Sequence, residues 1–219
     1  MAKDGINISE YKVAKILKKL GLQSKYGRRK CKNVHTSDNT KDEYIQANIF
    51  KTLTKEERSN YILSMDFTEV KLKNGKCYTC GAIDINGKVL VAELCGCKND
   101  SEAACRTVEM AIASYGVPYM ITTDRGSPFV SKSFHDLLSK YGIIHSMSRP
   151  GTPGDNSPIE TFWKSMKTEI GKVSHMTLDE YKMVMAYYVH YYNTERPHST
   201  LGYCTPASVY YKKKLSLED

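Results

Sequence analysis

The 219-residue sequence predicts an α/β fold: a mixed five-stranded sheet flanked by helices, preceded by a small basic helical arm. Three observations carry that expectation. Short apolar runs of strand character come first, as a meander. Amphipathic helical patterns then alternate with two more strand-like runs, an order that fits a mixed sheet with helices on its faces. The length suffices for one full core and a small appendage.

The first element is short. Ser9 can cap a helix that places Val13, Ile16, Leu17 and Leu20 on one face, with Gly21 as its stop signal. Residues 21 to about 58 are polar, basic and poorly periodic, so residues 1–58 read as an arm and 59–219 as the core. The core opens with a strand over Tyr61 to Val70, which contains Asp66. Runs over Lys76–Ile85 and Lys88–Leu94 follow, joined by Asn86-Gly87, a hairpin signal that expects positive φ at both turn positions. A helix with Ala103, Ala104, Val108, Ala111 and Ile112 on one face is suited to pack on the sheet. Next come a strand over Tyr119–Asp124, a helix near Lys132–Tyr141 and a strand over Ile143–Met147.

Residues 157–170 form the most legible helix. Ser157 is expected as N-cap, Pro158 as the first helical residue and Glu160 as the capping-box glutamate. Its apolar face is Ile159, Phe162, Trp163, Met166 and Ile170. A last long helix, from about Thr177 to Asn193, carries a core-facing stripe of Leu178, Tyr181, Met185, Tyr188 and Tyr192.

Charge narrows the choice of partner. The net charge of +8 is uneven: residues 1–58 carry 14 Lys+Arg against 7 Asp+Glu, residues 59–219 carry 18 against 17. Between Tyr11 and Ser37 there are nine basic residues and no acidic one, which points to a polyanion and makes Lys25, Arg28, Arg29 and Lys30 candidate nucleic-acid contacts. No apolar run approaches the roughly 20 residues that span a bilayer, and the N-terminus lacks a signal-peptide stretch, so the expectation is a cytoplasmic protein with no membrane partner. Seven cysteines without secretory features read as thiols rather than a disulfide framework. Cys77, Cys80, Cys95 and Cys97 invite a zinc reading, but Cys77 and Cys80 fall on opposite faces of a regular strand, which favours buried free thiols.

The chemistry is carried by acidic residues. Asp66 stands inside a strand-like run, where aspartate is disfavoured. Asp124 ends a second such run, and Glu160 opens a helix after 35 intervening residues. Each has a plain alternative, Asp124 as a turn residue and Glu160 as a cap. Brought together, three carboxylates repel one another unless a divalent cation intervenes.

Five segments then combine. Met65-Asp66-Phe67-Thr68, Thr123-Asp124-Arg125-Gly126-Ser127, Ser146-Met147-Ser148-Arg149, Asp155-Asn156-Ser157-Pro158-Ile159-Glu160 and Arg196-Pro197-His198 together resemble the integrase core of bacterial insertion-sequence transposases of the Asp-Asp-Glu type, relatives of retroviral integrases. The resemblance runs from about Tyr61 to Val209. It departs from the family pattern at Leu63, where tryptophan is frequent, and at Pro128-Phe129, where Gln-Tyr is frequent.

The resemblance implies a ribonuclease H-like fold and a transposase that cuts element ends and transfers the strand to target DNA. It also implies two Mg2+ per active site, replaceable by Mn2+, with Asp66 bridging both ions and Asp124 and Glu160 each completing one. Lys164 and Lys167, four and seven residues after Glu160, would hold the DNA backbone. The implied partners are double-stranded element-end and target DNA and further copies of the chain on that DNA, with a DNA-binding protein from an upstream reading frame as a further candidate, because the Ser9–Leu20 helix resembles one half of a helix-turn-helix pair. The alternative from another class is a catalytically silent DNA-binding remnant or repressor. A zinc-stabilised interaction module is a third.

Overall fold

The computed structural model describes residues 9–22, 44–148 and 156–215. The chain divides into two compact units, residues 1–34 and 35–219. In the first, helix α1 (Glu10–Lys19) begins where the Ser9 hydroxyl accepts from Lys12 N–H and ends at Gly21, whose φ of +66° suits glycine.

The second unit is built on a five-stranded sheet of order β3-β2-β1-β4-β5. Strands β1 (Ile62–Leu72), β2 (Gly75–Asp84) and β3 (Leu90–Cys97) form an antiparallel meander. Strands β4 (Met120–Thr123) and β5 (Ile144–Met147) add in parallel on the other side of β1. A short helix, α2 (Lys55–Arg58), precedes the sheet, with a capping box from Thr54 to Glu57. Helices α3 (Ser101–Tyr115) and α4 (Lys132–Lys140) cover one face, with Ala104, Val108, Ala111, Phe134 and Leu138 packed on Leu63, Met65, Cys80, Ala82 and Ile121. Helices α5 (Ser157–Ile170) and α6 (Leu178–Thr194) cover the other, with Ile159, Phe162, Trp163, Met166, Tyr181 and Met185 on Leu72, Cys77, Ile83 and Leu90. Cys77 and Cys80 thus lie in opposite cores, as the strand alternation requires. Among the described residues, no helix is long and apolar enough to cross a membrane.

Several local expectations are corrected. The Asn86-Gly87 hairpin forms, but neither residue takes positive φ; Lys88 does, at 58°. Asp84 explains this. Its carboxylate accepts from Asn86 N–H at 3.4 Å and Gly87 N–H at 2.6 Å, while its carbonyl accepts from Lys88 N–H, so the loop is wrapped around one side chain. A Cβ on Gly87 would stand 2.8 Å from that carboxylate. Helix α5 is not capped by Ser157: Asn156 is its N-cap residue, no side chain caps the helix, and Glu160 forms no capping box. The capping box occurs instead at α6, between Thr177 and Glu180. Leu178 is 38% exposed rather than core-facing, and leans over Gly96.

Some of the order has no counterpart in the sequence pattern. Part of the segment that reads as an arm lies along β5: Phe50 N–H donates to Ser146 Oγ at 3.0 Å and Met147 N–H to the Ala47 carbonyl at 3.3 Å. Helix α7 (Pro206–Leu215) packs on α6.

Candidate active site

The site forms where β1 and β4 part. Their parallel ladder pairs Ile62 with Met120, Leu63 with Ile121 and Ser64 with Thr122, then stops. Asp66 and Asp124 each lie two residues beyond that last pair, so the register carries them forward side by side, Asp66 midway along β1 and Asp124 just past the end of β4. Glu160 joins them from the first turn of α5, which the Ile159, Phe162, Trp163 and Met166 face seats on the sheet.

Burial and charge act together on the three acids. The carboxyl of Asp66 is pushed up to about 7, first by burial, then by Asp124, with a smaller push from Glu160 and an opposing pull from Lys167. Burial raises Asp124, against the Gly126 N–H that donates to its Oδ1 at 2.9 Å. Glu160 is raised by burial and then by Asp124. Asp66 and Glu160 therefore both feel Asp124, which links the three groups electrostatically. A Cβ at Gly126 would lie 3.0 Å from Asp124 Oδ1, so glycine there lets the turn close on the carboxylate.

The donor set suits a hard divalent cation: three carboxylates of raised proton affinity, with no thiolate or imidazole from the same strand ends. Among the described residues, no group of three His, Cys, Asp or Glu side chains is gathered tightly enough to hold a metal ion. The acids act on one another electrostatically without standing at ligand distance.

The lysines differ. Desolvation pulls the Lys167 ammonium below the usual lysine range, against Asp66 and Glu69, which places its charge beside the carboxylates. Lys164 is exposed, and its carbonyl accepts from Thr168 Oγ1. Lys25, Arg28, Arg29 and Lys30 lie outside the described residues.

One further participant is absent from the sequence reading of the site. Asn156 is 3% exposed, and its side chain reaches the sheet at three points: Oδ1 accepts from Ser64 Oγ and, at 3.5 Å, from Thr122 Oγ1, while Nδ2 donates to the Met65 carbonyl at 2.9 Å. The signal that could find it is Asn156 itself, a residue type favoured at N-caps, standing two residues before the proline that starts the helix.

The Arg-Pro-His segment proves to be a fastening. Arg196 grips Glu169 of α5 with Nε at 3.1 Å and the terminal nitrogen at 2.9 Å from Oε1. Tyr188 O–H donates to the same carboxylate at 3.0 Å, and His198 stands edge-on to Tyr192, 4.6 Å between centroids. These contacts tie the end of α6 back to the helix that carries Glu160.

Comparison with known proteins places the chain among relatives of known type. Two family models, each described as an integrase core domain, match residues 56–153 and 141–206 and together span well over half of the chain. An uncharacterised 31 kDa protein of insertion element IS600 from Shigella sonnei is 28% identical across 95% of this chain and 77% of its own length. The transposase of insertion sequence element IS904 from Lactococcus lactis subsp. lactis is 27% identical across 92% of this chain and 80% of its own. In fold, the chain resembles the HTLV-2 integrase catalytic core domain, solved in complex with magnesium in a dimeric form, with a TM-score of 0.52, 21% identity, and coverage of 67% of this chain and 92% of that one.

Proposed function

Because this chain belongs to the insertion-sequence transposases built on an integrase core, and so serves transposition and DNA integration, we propose that Asp66, Asp124 and Glu160 are the metal-holding residues of a DNA strand-cleaving and strand-joining site. The observation that carries this reading is the register that sets Asp66 of β1 beside Asp124 after β4, with Glu160 on the first turn of α5; the rise of the Asp66 carboxyl, from burial first and then from Asp124 and Glu160, agrees with it. Three acids that oppose one another's ionisation make a site whose ionised form calls for added positive charge.

Asp66, Asp124 and Glu160 would together hold the divalent ions, two Mg2+ or Mn2+ in their place. The magnesium in the HTLV-2 integrase core supports a divalent ion. Such ions polarise phosphoryl oxygens, activate an attacking oxygen and stabilise a leaving one. In the first step, a water oxygen bonds to the phosphorus at the element end, and the 3′ oxygen departs and takes up a proton. In the second, that 3′-hydroxyl loses its proton as its oxygen attacks a target phosphorus, and the target's own 3′ oxygen leaves. No protein atom enters a covalent bond.

Lys167, with its charge beside Asp66 and Glu69, is suited to hold a non-bridging phosphate oxygen near the acids. Lys164 is a backbone contact further out. Lys25, Arg28, Arg29 and Lys30 supply non-specific attraction to duplex DNA through phosphates. The dimeric form of the HTLV-2 core supports action by more than one copy on the DNA.

Joining of labelled element-end DNA, measured with and without Mg2+ for the wild type and Asp66→Asn, tests the reading. Metal-dependent joining that Asp66→Asn abolishes is the expected result. Joining that survives in Asp66→Asn overturns the assignment of Asp66. No joining by the wild type, with duplex binding intact, favours the silent remnant.

A further inference from the structure

The three segments that bear the proposed metal-holding acids are far apart in sequence, yet one residue touches all of them. Asn156 is the N-cap residue of α5, and its carbonyl accepts from Glu160 N–H at 3.4 Å. Its Nδ2 donates to the carbonyl of Met65, the peptide that leads into Asp66. Its Oδ1 accepts from Ser64 on β1 and, at 3.5 Å, shares with the Leu63 carbonyl at 3.3 Å the hydroxyl proton of Thr122 on β4, the residue two before Asp124.

The position of these bonds matters. Ser64 and Thr122 are the last paired residues of the β1–β4 ladder. Beyond them the strands separate, and a buried carbonyl there needs a donor from elsewhere. The Asn156 amide supplies that donor and, at its other end, the acceptor for both hydroxyls. A carboxylate cannot donate, and serine or threonine has no second polar atom, so asparagine meets the requirement where the usual alternative caps do not.

A local rule is broken to achieve this. An N-cap asparagine ordinarily turns back to accept from the first turn of its own helix. Here the side chain turns away from α5 and into the sheet. Departures of this kind are expected where function competes with local preference.

We infer that Asn156 is a positioning residue: it holds β1, β4 and the start of α5 against one another, so that Asp66, Asp124 and Glu160 stay near enough to converge on a metal ion. The inference rests on the reading of those three acids as the metal site. It predicts that loss of the clamp weakens metal binding rather than DNA binding, because Asn156 touches the scaffold of the acids and is itself buried.

The test uses the full chain and four proteins: wild type, Asn156→Ala, Ser64→Ala and Asp66→Asn. Mn2+ binding without DNA is read by calorimetry, and joining of labelled element-end DNA is followed against Mg2+ concentration. Thermal melting and duplex binding are measured alongside. Asn156→Ala is expected to bind duplex as the wild type does, to bind Mn2+ at least tenfold more weakly, and to need at least tenfold more Mg2+ for half-maximal joining. Ser64→Ala, which removes one bond of the clamp, is expected to move the same quantities in the same direction by a smaller factor.

A lower melting temperature with metal dependence within twofold of wild type makes Asn156 merely structural and overturns the inference. If Asn156→Ala does not fold, Ser64→Ala decides: a raised metal requirement supports the clamp, and an unchanged one overturns it. Asp66→Asn separates the two levels. If it binds Mn2+ like the wild type, the reading of the acids fails and the clamp with it; if it no longer binds Mn2+ while Asn156→Ala still does, only the clamp fails.

Discussion

Asp66 is half-buried, and its carboxyl is raised above the usual aspartate range by that burial first, then by Asp124 and more weakly by Glu160. Asp66→Asn, Asp124→Asn and Glu160→Gln should each lower joining by at least about a thousandfold, in the range that removal of transition-state charge stabilisation produces, while duplex affinity changes little. Single-turnover joining and equilibrium duplex binding on the same preparations check this.

A second acid gives a cleaner pH effect because only burial moves it. Glu93 on β3 is raised to about 7 from its ordinary 4.5. The folded chain keeps that proton between roughly pH 4.5 and 7, where the unfolded chain has released it, so this residue's contribution to stability falls as pH rises through that window. Glu93→Gln should remove that slope and stabilise the protein at pH 8 by on the order of 2 kcal/mol, read by denaturant melts at pH 5 and pH 8. At this scale the acids are legible, since aspartate in a strand and before a glycine turn leaves a mark in the sequence. Asn156 is not, because the Ser-Pro pair after it offers an equally good cap and nothing local says which way an asparagine turns.

At the level of elements, the placement of Glu160 depends on how closely α5 approaches the sheet. A Cβ at Gly81 would stand 2.7 Å from Cζ2 of Trp163, a rigid ring three residues along from Glu160. Gly81→Ala should therefore push α5 outward, destabilise by about 1–3 kcal/mol as overpacked cores do, and reduce joining beyond what the stability loss explains. Melting temperature and joining at saturating Mg2+ separate the two effects.

The Arg196–Glu169 fastening acts on the other end of the same helix. Both side chains are mostly covered, 19% and 21% exposed. Arg196→Ala leaves a largely covered carboxylate with fewer donors and should lower stability by about 1–3 kcal/mol. Arg196→Lys should recover only part of this, since an ammonium lacks the planar fork. Chemical denaturation of both variants measures the difference.

Helices and strands with clear periodicity are legible: α3, α4, α5, α6 and all five strands fall within a few residues of their expected spans. Departures gather at termini and turns, where one side chain's hydrogen bonds decide the outcome. Asp84 organises the β2–β3 turn and displaces the positive φ to Lys88. The segment around Phe50 that lies along β5 reads as arm because its order comes from bonds to a partner 96 residues away, which no local pattern encodes.

Taken whole, the molecule separates charge from architecture. Residues 1–34 hold 10 Lys+Arg and 2 Asp+Glu, which leaves 22 of each in residues 35–219, so the second compact unit is formally neutral. Electrostatic attraction to duplex should thus reside mainly in the first unit. Deleting residues 1–34 should weaken duplex binding and flatten its salt dependence by about 0.9 in slope for each phosphate no longer neutralised, with the melting of the remainder little changed. Duplex affinity at several salt concentrations gives the slope directly. The overall architecture is legible because meander-then-alternation has few solutions. The placement of β4 beside β1 is not legible, since no local pattern says which earlier strand a later one will join.

That neighbouring of β1 and β4 has a consequence in time. The antiparallel meander joins residues close in sequence, whereas the Ile62–Met120 pairing must close a long loop around α3. Pairings of long sequence separation form late, because the entropy of closure is spent before they return anything. During synthesis the three-stranded ribbon can form early, yet the two aspartates meet only after β4 has emerged, and the glutamate arrives later still. A ribosome-bound fragment therefore gains its three-stranded ribbon well before the three acids are brought together.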